Sequence, residues 1–404
     1  LNEHLRILSL PFDAQFKQTT VNSKLLFLLA ATIGLLQQPL LAQNKTLPNW
    51  AFGGFVRPAG VNPVIGTDST THFYDSLLQR QVDWESNDTF NPAAVVKKGK
   101  IVVLYRAEDK SGINIGMRTS RIGYAASKNG TRFRRKSVPV LYPRPDDQQT
   151  YEWPGGCEDP RVAVTADGTY VVFYTQWNRQ VPRLGVATSK DLVNWTKHGP
   201  IFRKAAGGKF VDAPHKSASI VTRLEGHKQV IAKVNGKYWM YWGEAGVFAA
   251  TSDNLVDWQP VTDSTGELKA LIRPRKGYFD SGLTECGPPA IITEKGILLL
   301  YNGKNQPGEE GDQRFTANSY SAGQVLFDTQ NPEKAIARLD VPFLRPMEAF
   351  EKSGQYTAGT VFIEGLVYFK KKWFLYYGCA DSRVGVAVFD PQHPAPADPL
   401  PQAQ

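Results

Sequence analysis

The residues best suited to chemistry in this chain are carboxylates set among glycines. The string Gly155-Gly156-Cys157-Glu158-Asp159-Pro160-Arg161 places two adjacent acids behind two glycines that permit a tight backbone, and Pro160 fixes φ just after them. Glu244, in Trp242-Gly243-Glu244-Ala245-Gly246, and Glu285, in Leu283-Thr284-Glu285-Cys286-Gly287, stand among apolar and glycine residues. Such surroundings raise a carboxyl pKa, as a general acid or base requires. Blander roles stay open: Glu244 and Glu285 as solvated loop residues, and Glu158 or Asp159 as an ion-pair partner of Arg161 that braces its strand. The bracing role suits Glu158 and the catalytic role suits Asp159. Further polar residues flank similar apolar runs, namely Asn91, Arg106, Asp109, Asn178, Lys216, Asn302 and Asp381. Carboxylates converging from several elements suit acid–base work on a neutral substrate.

Such residues need strands to hold them. From Phe90 onward one pattern recurs: an apolar strand ending in tyrosine, a loop, a second strand with small residues, and a turn. The first strands are Lys100–Tyr105, Thr169–Tyr174, Lys237–Tyr241, Gly296–Tyr301 and Lys372–Tyr377, and their last tyrosines are spaced 69, 67, 60 and 76 residues apart. Second strands follow at Arg121–Ala126, Arg183–Thr188, Gly246–Thr251 and Arg383–Val388. Turns at Ser127–Gly130, Ser189–Leu192 and Ser252–Leu255 come next, and Trp195 and Trp258 occupy matching places after two of them. Short apolar runs bounded by Gly, Asn, Asp and Ser read as strands joined by tight turns. A period of about 60–75 residues predicts repeated four-stranded sheets. Five of them around an axis make an all-β, five-bladed β-propeller, a single domain over residues 43–404. Polar residues next to its inner strands would then converge at one axial mouth. A β-sandwich with coincidental internal similarity is the alternative.

Composition narrows the function. Hydrophobic residues make up 42% of 404, which excludes a wholly disordered chain and is ample for a core. Aromatic residues at 11%, with many turn residues, lean towards β structure and flat ligands such as sugars. The net charge of +9 is dispersed, and its densest runs, Arg132–Lys136 and Lys370–Lys372, sit beside strand turns, so no nucleic-acid partner is expected. Three distant cysteines and six histidines form no metal-ligand spacing, and the sequence holds no nucleophile elbow, Walker loop or dinucleotide fingerprint. No metal or organic cofactor is implied.

Lys24 is followed by the apolar run Leu25–Leu36 and then by Leu41-Ala42-Gln43, which reads as a secretory signal cleaved near Ala42. The run is short for a membrane span, no later segment reaches about 18 apolar residues, and the mature chain is expected to lack a span. A retained amino-terminal anchor is the alternative. Residues 1–20 are unusual ahead of such a signal, and a translation begun too far upstream would explain them. With 1–42 set aside, a periplasmic or secreted product is expected, its three thiols buried or inert.

At Phe90-Asn91-Pro92-Ala93, Leu104-Tyr105-Arg106, Ser120-Arg121-Ile122-Gly123, Gly155 to Arg161, Gly287-Pro288-Pro289 and Tyr377-Gly378-Cys379-Ala380-Asp381 the chain resembles the mannoside phosphorylases and mannosidases of glycoside hydrolase family 130. The resemblance extends from about Asn62 to Asp390. It implies inverting chemistry on β-linked mannosides, on a five-bladed propeller. It implies Asp159 as the general acid, acting on the glycosidic oxygen through a hydroxyl of the bound mannose. Asn91, Arg106, Arg121 and Asp381 match positions that hold this mannose; Asp109, Arg161, Asn178, Lys216 and Asn302 complete the candidate binding set.

The departures from that family pattern bear on the reaction. Its phosphorylases usually carry basic residues after the third tyrosine and a Tyr-His-Gly in the fourth unit. Here those places read Trp242-Gly243-Glu244 and Tyr301-Asn302-Gly303, and Glu285 stands where a small residue is usual. At about 5 Å and an effective dielectric near 20, each carboxylate facing a phosphate costs roughly 3 kcal/mol, about a hundredfold in affinity. A carboxylate there can instead polarise water, as the base of an inverting hydrolase does. Lys216 still matches a phosphate-contacting lysine. The expectation is an exo-acting, inverting β-1,2-mannosidase with Asp159, Glu244 and Glu285 as catalytic residues and β-linked mannooligosaccharides as substrate. A phosphorylase producing mannose 1-phosphate and a non-catalytic sugar-binding propeller are the alternatives. A protein-interaction propeller would lack converging acids at its mouth.

Overall fold

The computed structural model of the protein describes residues 47–395; the signal-type segment and extension predicted at 1–42 lie outside the described residues. Among the described residues strands carry nearly all regular structure, beside one four-residue helical turn at Gln149–Glu152 and three short 3₁₀ turns. No helix among them is long and apolar enough to cross a membrane.

The strands form five successive antiparallel units. Unit one runs Asp88–Lys97, Lys100–Glu108, Ser120–Ser127 and Arg134–Arg135. Unit two runs Gly156–Val164, Tyr170–Trp177, Pro182–Ser189 and Thr196–Pro200. Unit three runs Ala218–Glu225, Lys237–Trp242, Phe248–Ser252 and Trp258–Pro260. In unit four the first strand is split into Leu283–Cys286 and Ala290–Thr293, followed by Gly296–Lys304, Tyr320–Phe327 and Ala335–Arg338. Unit five has Val361–Phe369, Lys372–Cys379 and Arg383–Phe389. Its fourth place is taken by the amino-terminal segment, where Val56 pairs with Val388 and Ile65 with Val384. The tyrosine-ended strands of the repeat pattern are therefore the second strands of their units.

Local chemistry explains the turns. Lys98-Gly99, Asn235-Gly236 and Lys370-Lys371 are two-residue hairpin loops with positive φ at both positions, the geometry that matches strand twist. Ser127, Ser189 and Ser252 each accept two backbone N–H bonds on Oγ, from the residues two and three places on. That shared hydroxyl turn is what the repeated serine pattern encodes.

The five recurring tyrosines are fully buried, which obliges each hydroxyl to find a partner. Tyr105, Tyr174, Tyr301 and Tyr377 donate to Glu85, Glu152, Asp280 and Glu351 at 2.7, 2.7, 2.6 and 2.8 Å. Each of these acids is in turn held by a cation on the fourth strand of its unit: Arg135, Lys197, Arg338 and, for unit five, Arg57 of the amino-terminal segment. In unit three Tyr241 instead donates to the Pro332 carbonyl and stacks on Phe327. Opposite Tyr105 sits Gly123, where a Cβ would lie 2.3 Å from the ring, so the repeated glycine is the space the tyrosine occupies.

The apolar core is divided among the unit interfaces. Separate buried clusters join units one and two (Leu104 with Val162), two and three (Val186 with Ile220), three and four (Val221 with Leu299), and four and five (Leu300 with Ile363). A fifth joins unit five back to unit one, Tyr376 and Val386 packing with Ile101 and Val103. Each fully buried Leu, Ile or Val stabilises the fold by about 1.5–3 kcal/mol relative to exposure. Cys157, Cys286 and Cys379 are free thiols inside this core.

Candidate active site

Three first strands carry a bulge at the same depth. The register slips between Phe90 and Pro92, between Glu158 and Arg161, and between Ile363 and Gly365. Asn91 and Asp159 occupy two of these bulges with φ of 46°. A bulge re-aims a side chain that strict alternation would send elsewhere, and Asn and Asp are the non-glycine types that best tolerate left-handed backbone. Here the two meet, Asn91 Nδ2 donating to Asp159 Oδ1 at 2.8 Å. Arg106, on the second strand of unit one, donates from Nη1 to the same oxygen at 3.1 Å. Its Nη2 donates to Glu158 at 2.8 Å and to Glu108 at 2.6 Å, and its Nε to Ser120 Oγ at 3.1 Å. Behind Glu108, Arg118 bridges to Asp88.

Lys216 reaches this group from the segment before unit three. Its Nζ lies 3.2 Å from Glu244, 3.5 Å from Glu285 and 4.0 Å from Asp159. Backbone bonds set these residues side by side: Gly243 N donates to Lys216 O, Cys286 N to Gly243 O, and Thr284 N to Glu244 O, each at 3.0 Å. Gly243 has φ of 113°, and a Cβ there would lie 2.4 Å from Gly246 O, so the loop presenting Glu244 requires glycine. Glu285 is buried and accepts a 2.5 Å bond from Ser217 Oγ, whereas the Glu244 side chain is 44% exposed.

Burial and charge pull these groups apart in proton affinity. Burial alone would raise the Asp159 carboxyl, but Arg106, Lys216 and Arg161 outweigh it and, with the Asn91 bond, hold it well below the ordinary range. Burial pushes Glu158 up to about 7, the charges of Asp159 and Glu108 adding to it against the pull of Arg106 and Lys216. Burial likewise pushes Asp381 up to about 7, with Arg106 and Lys216 opposing and Asp159 and Glu108 adding. Glu285 is raised by burial and by the charge of Glu244, against Lys216, Arg161 and the Ser217 bond. Burial would lower Lys216, yet Glu285, Glu244, Asp159 and Glu158 lift it well above an ordinary lysine. The site thus holds an anionic Asp159 beside a firmly charged Lys216, while burial raises the proton affinity of Glu158, Asp381 and Glu285 around them.

Asp159, Glu244, Glu285, Asn91, Arg106 and Lys216 come together here, and Asp381 is coupled to the group through Arg106, Asp159 and Lys216. Other sequence-derived candidates stand elsewhere. Arg161 does not pair with the Glu158 or Asp159 carboxylates; Arg106 does, and Arg161 is buried against Glu364 at 2.6 Å and the carbonyls of Asp159 and Cys286. Asn302 is fully buried and bonds both N–H and C=O of Ile363, so it joins units four and five and has no surface to offer a ligand. Arg121 is also fully buried, between Asp75 and Asp109 at 2.5 and 2.7 Å. Asn178 caps its own loop, accepting from Gln180 N and Val181 N. Glu108, Ser120, Ser217 and Glu364 join the site without having been singled out by sequence. Glu364 had a readable signal, as the lone charge in the apolar strand Val361–Phe369. A cavity of about 340 Å³ between Val95, Val164, Leu366 and His227 lies at the far ends of the same first strands; no carboxylate lines it, and its titratable lining is Lys98, His227, Lys228 and Tyr368.

Comparison with known proteins adds to this geometry. The model of glycoside hydrolase family 130, described as β-1,4-mannooligosaccharide phosphorylase, matches residues 67–392. A 1,2-β-oligomannan phosphorylase from Thermoanaerobacter sp. is 32% identical over 313 residues, 76% of this chain and 92% of its own. A solved glycosyl hydrolase from Bacteroides ovatus is 66% identical with a TM-score of 0.86, covering 88% of this chain and 99% of that one. Another solved structure, with 63% identity, a TM-score of 0.87 and the same coverage, comes under the statement that the family of mannoside phosphorylases contains hydrolases targeting β-1,2 mannosidic linkages in Candida mannan. The matched segment contains every residue of the acid cluster, and the chain belongs to glycoside hydrolase family 130.

Proposed function

We propose that this protein is a periplasmic or secreted inverting exo-β-1,2-mannosidase, which releases mannose from β-1,2-linked mannooligosaccharides. The five units are read as the blades of a β-propeller. Five interunit cores that return from unit five to unit one support that reading, as does the amino-terminal segment completing the last sheet.

In the reaction, water attacks the anomeric carbon as the glycosidic C–O bond breaks. Asp159 supplies the proton that reaches the leaving oxygen, and a glutamate of the Glu244–Glu285 pair takes the proton from water. Lys216 Nζ is 4.0 Å from Asp159 and 3.5 Å from Glu285, so those oxygens are separated by no more than the two distances together. That bound overlaps the roughly 6.5–9.5 Å of an inverting pair and also admits the closer spacing of a retaining one, so inversion rests on the family resemblance. Asn91 and Arg106 fix the Asp159 carboxylate.

The observation that carries hydrolysis over phosphorolysis is the pairing of Lys216 with both Glu244 and Glu285. The one ammonium at that place is already neutralised, and a phosphate dianion would face two carboxylates. Phosphorolysis stays the second reading because Lys216 keeps 24% exposure and the Thermoanaerobacter relative is a phosphorylase. Incubating the protein with β-1,2-mannobiose, with and without inorganic phosphate, decides between them. Free mannose in both tubes is expected; phosphate-dependent mannose 1-phosphate would overturn hydrolysis, and no turnover in either would favour a protein that only binds sugar.

A further inference from the structure

A general acid must hold a proton, yet the surroundings of Asp159 keep it ionised. Arg106 Nη1 donates to it at 3.1 Å, Asn91 donates at 2.8 Å, and Lys216 lies 4.0 Å away. The other end of the same guanidinium carries Glu158 at 2.8 Å and Glu108 at 2.6 Å. Three buried carboxylates therefore share one Arg106 charge. Glu108 has a second cation in Arg118 at 3.1 Å, and Asp159 has one in Lys216 at 4.0 Å. Glu158 has none, its remaining bond being to Ser120 Oγ at 3.1 Å. Two like charges on one cation in a dry site cannot both ionise freely, and they titrate as a unit.

Resting on the reading of Asp159 as the acid, we propose that Glu158 and Asp159 share one proton across Arg106, with Glu158 holding it in the empty site and Asp159 holding it in the substrate complex. The exchange balances. One proton leaves Glu158 and one is bound at Asp159, so the net charge of the site is unchanged, and Glu158 becomes the anion that takes up the Arg106 charge through Nη2. Glu158 is then a positioning residue: it acts on the bond-breaking step only through Asp159. The groups facing it are Arg106 and Glu108 from unit one, Asp159 beside it and Lys216 from the edge of unit three. The burial that lifts Glu158 to about 7 is consistent with its holding the proton at rest.

Two measurements test this on the full-length protein. Infrared spectra of the ligand-free wild type and of Glu158→Gln, recorded from about pH 5 to pH 9, should differ by one protonated-carboxyl band that titrates near neutrality in the wild type. If no such band is lost in the variant, Glu158 does not store the proton and the proposal fails. The second readout is the pH profile of kcat/KM on β-1,2-mannobiose. Without Glu158, Asp159 keeps its depressed proton affinity, so Glu158→Gln should lose at least about tenfold near pH 7 and far less near pH 5, its alkaline limb moving to lower pH by about one unit or more. Glu158→Asp, which restores the charge, should return the limb towards the wild type. A loss by the same factor at every pH, or no loss, would overturn the proposal in favour of a merely structural Glu158. If the wild type does not hydrolyse mannobiose, the functional reading fails and the infrared comparison still decides where the proton sits.

Discussion

Replacing Lys216 by methionine preserves length and removes the charge that faces all three candidate catalytic carboxylates. The ammonium lies 3.2, 3.5 and 4.0 Å from Glu244, Glu285 and Asp159. At an effective dielectric near 20, a unit pair at about 4 Å is worth roughly 4 kcal/mol. Because Lys216 keeps 24% exposure, solvent screening reduces each pair to about 1–2 kcal/mol. At about 1.4 kcal/mol per unit, the two buried facing carboxyls, Glu285 and Asp159, should each gain roughly one unit of pKa. The sign follows from which form Lys216 favours. It stabilises the ionised carboxylates, so its loss makes the base glutamate protonate at higher pH and lets Asp159 keep its proton to higher pH. Both limbs of the kcat/KM profile should therefore move in the alkaline direction by about one unit. Folding stability should follow the same logic. Carboxyls raised above their unfolded values contribute less as pH rises through the interval, so the thermal midpoint of Lys216→Met should fall further below wild type near pH 8 than near pH 5. The assay is the pH dependence of mannose release, beside thermal unfolding at the two pH values. A profile that loses height without moving would refute the assignment of Lys216 as the electrostatic centre of the site.

Asp159→Asn should lower turnover of β-1,2-mannobiose by about 10²–10⁴-fold while calorimetric binding stays within a few-fold of wild type; turnover close to wild type would remove Asp159 from the acid role. Glu285→Gln removes a buried like charge from beside Lys216, so inorganic phosphate should compete with substrate at least about tenfold better than in wild type, and unchanged inhibition would remove the electrostatic argument against phosphorolysis. Arg57→Ala leaves Glu351, which is fully buried, without its 2.6 Å ion-pair partner and removes the side-chain tie that backs the Val56–Val388 and Ile65–Val384 pairing of the amino-terminal segment with unit five. The expected cost is about 3–5 kcal/mol in denaturant unfolding, and a loss under about 1 kcal/mol would mean the segment is held by other contacts.

Much of the fold is legible in sequence because it is local. Five tyrosine-ended apolar runs, the serine turns and the glycine opposite four of the tyrosines (Ala249 faces Tyr241) all lie within single units, and the all-β character follows from them. The parts that escape are those made across the chain. The fourth strand of unit five comes from Val56 and Ile65, more than three hundred residues before their partners, and no periodicity marks a strand whose repeat is elsewhere. Glu85, Glu152, Asp280 and Glu351 stand in the segments before the strands of their units, Glu152 and Glu351 in short helical turns and the others in loops, so their common role becomes visible only when each is found under a tyrosine hydroxyl.

The site divides along the same line. Residue type and neighbours suffice to pick out Asp159, Glu244, Glu285 and Lys216, since a carboxylate among glycines or a lysine before a strand is conspicuous wherever it lands. Pairing is a different matter. Arg161 is two residues from Asp159, a spacing that strict alternation would place on one face, but the bulge between Glu158 and Arg161 re-aims the carboxylates, so a residue fifty-three positions before Asp159, Arg106, takes them instead. Freed from that pairing, Arg161 turns to Glu364 on unit five. Asn302 and Arg121 show the converse: polar residues near the expected mouth whose hydrogen-bonding capacity is consumed by neighbouring strands and acids. With more carboxylates than cations around Asp159, the question the geometry poses is where the site keeps its protons, and one guanidinium shared by Glu108, Glu158 and Asp159 makes that distribution a property of the group rather than of any single acid.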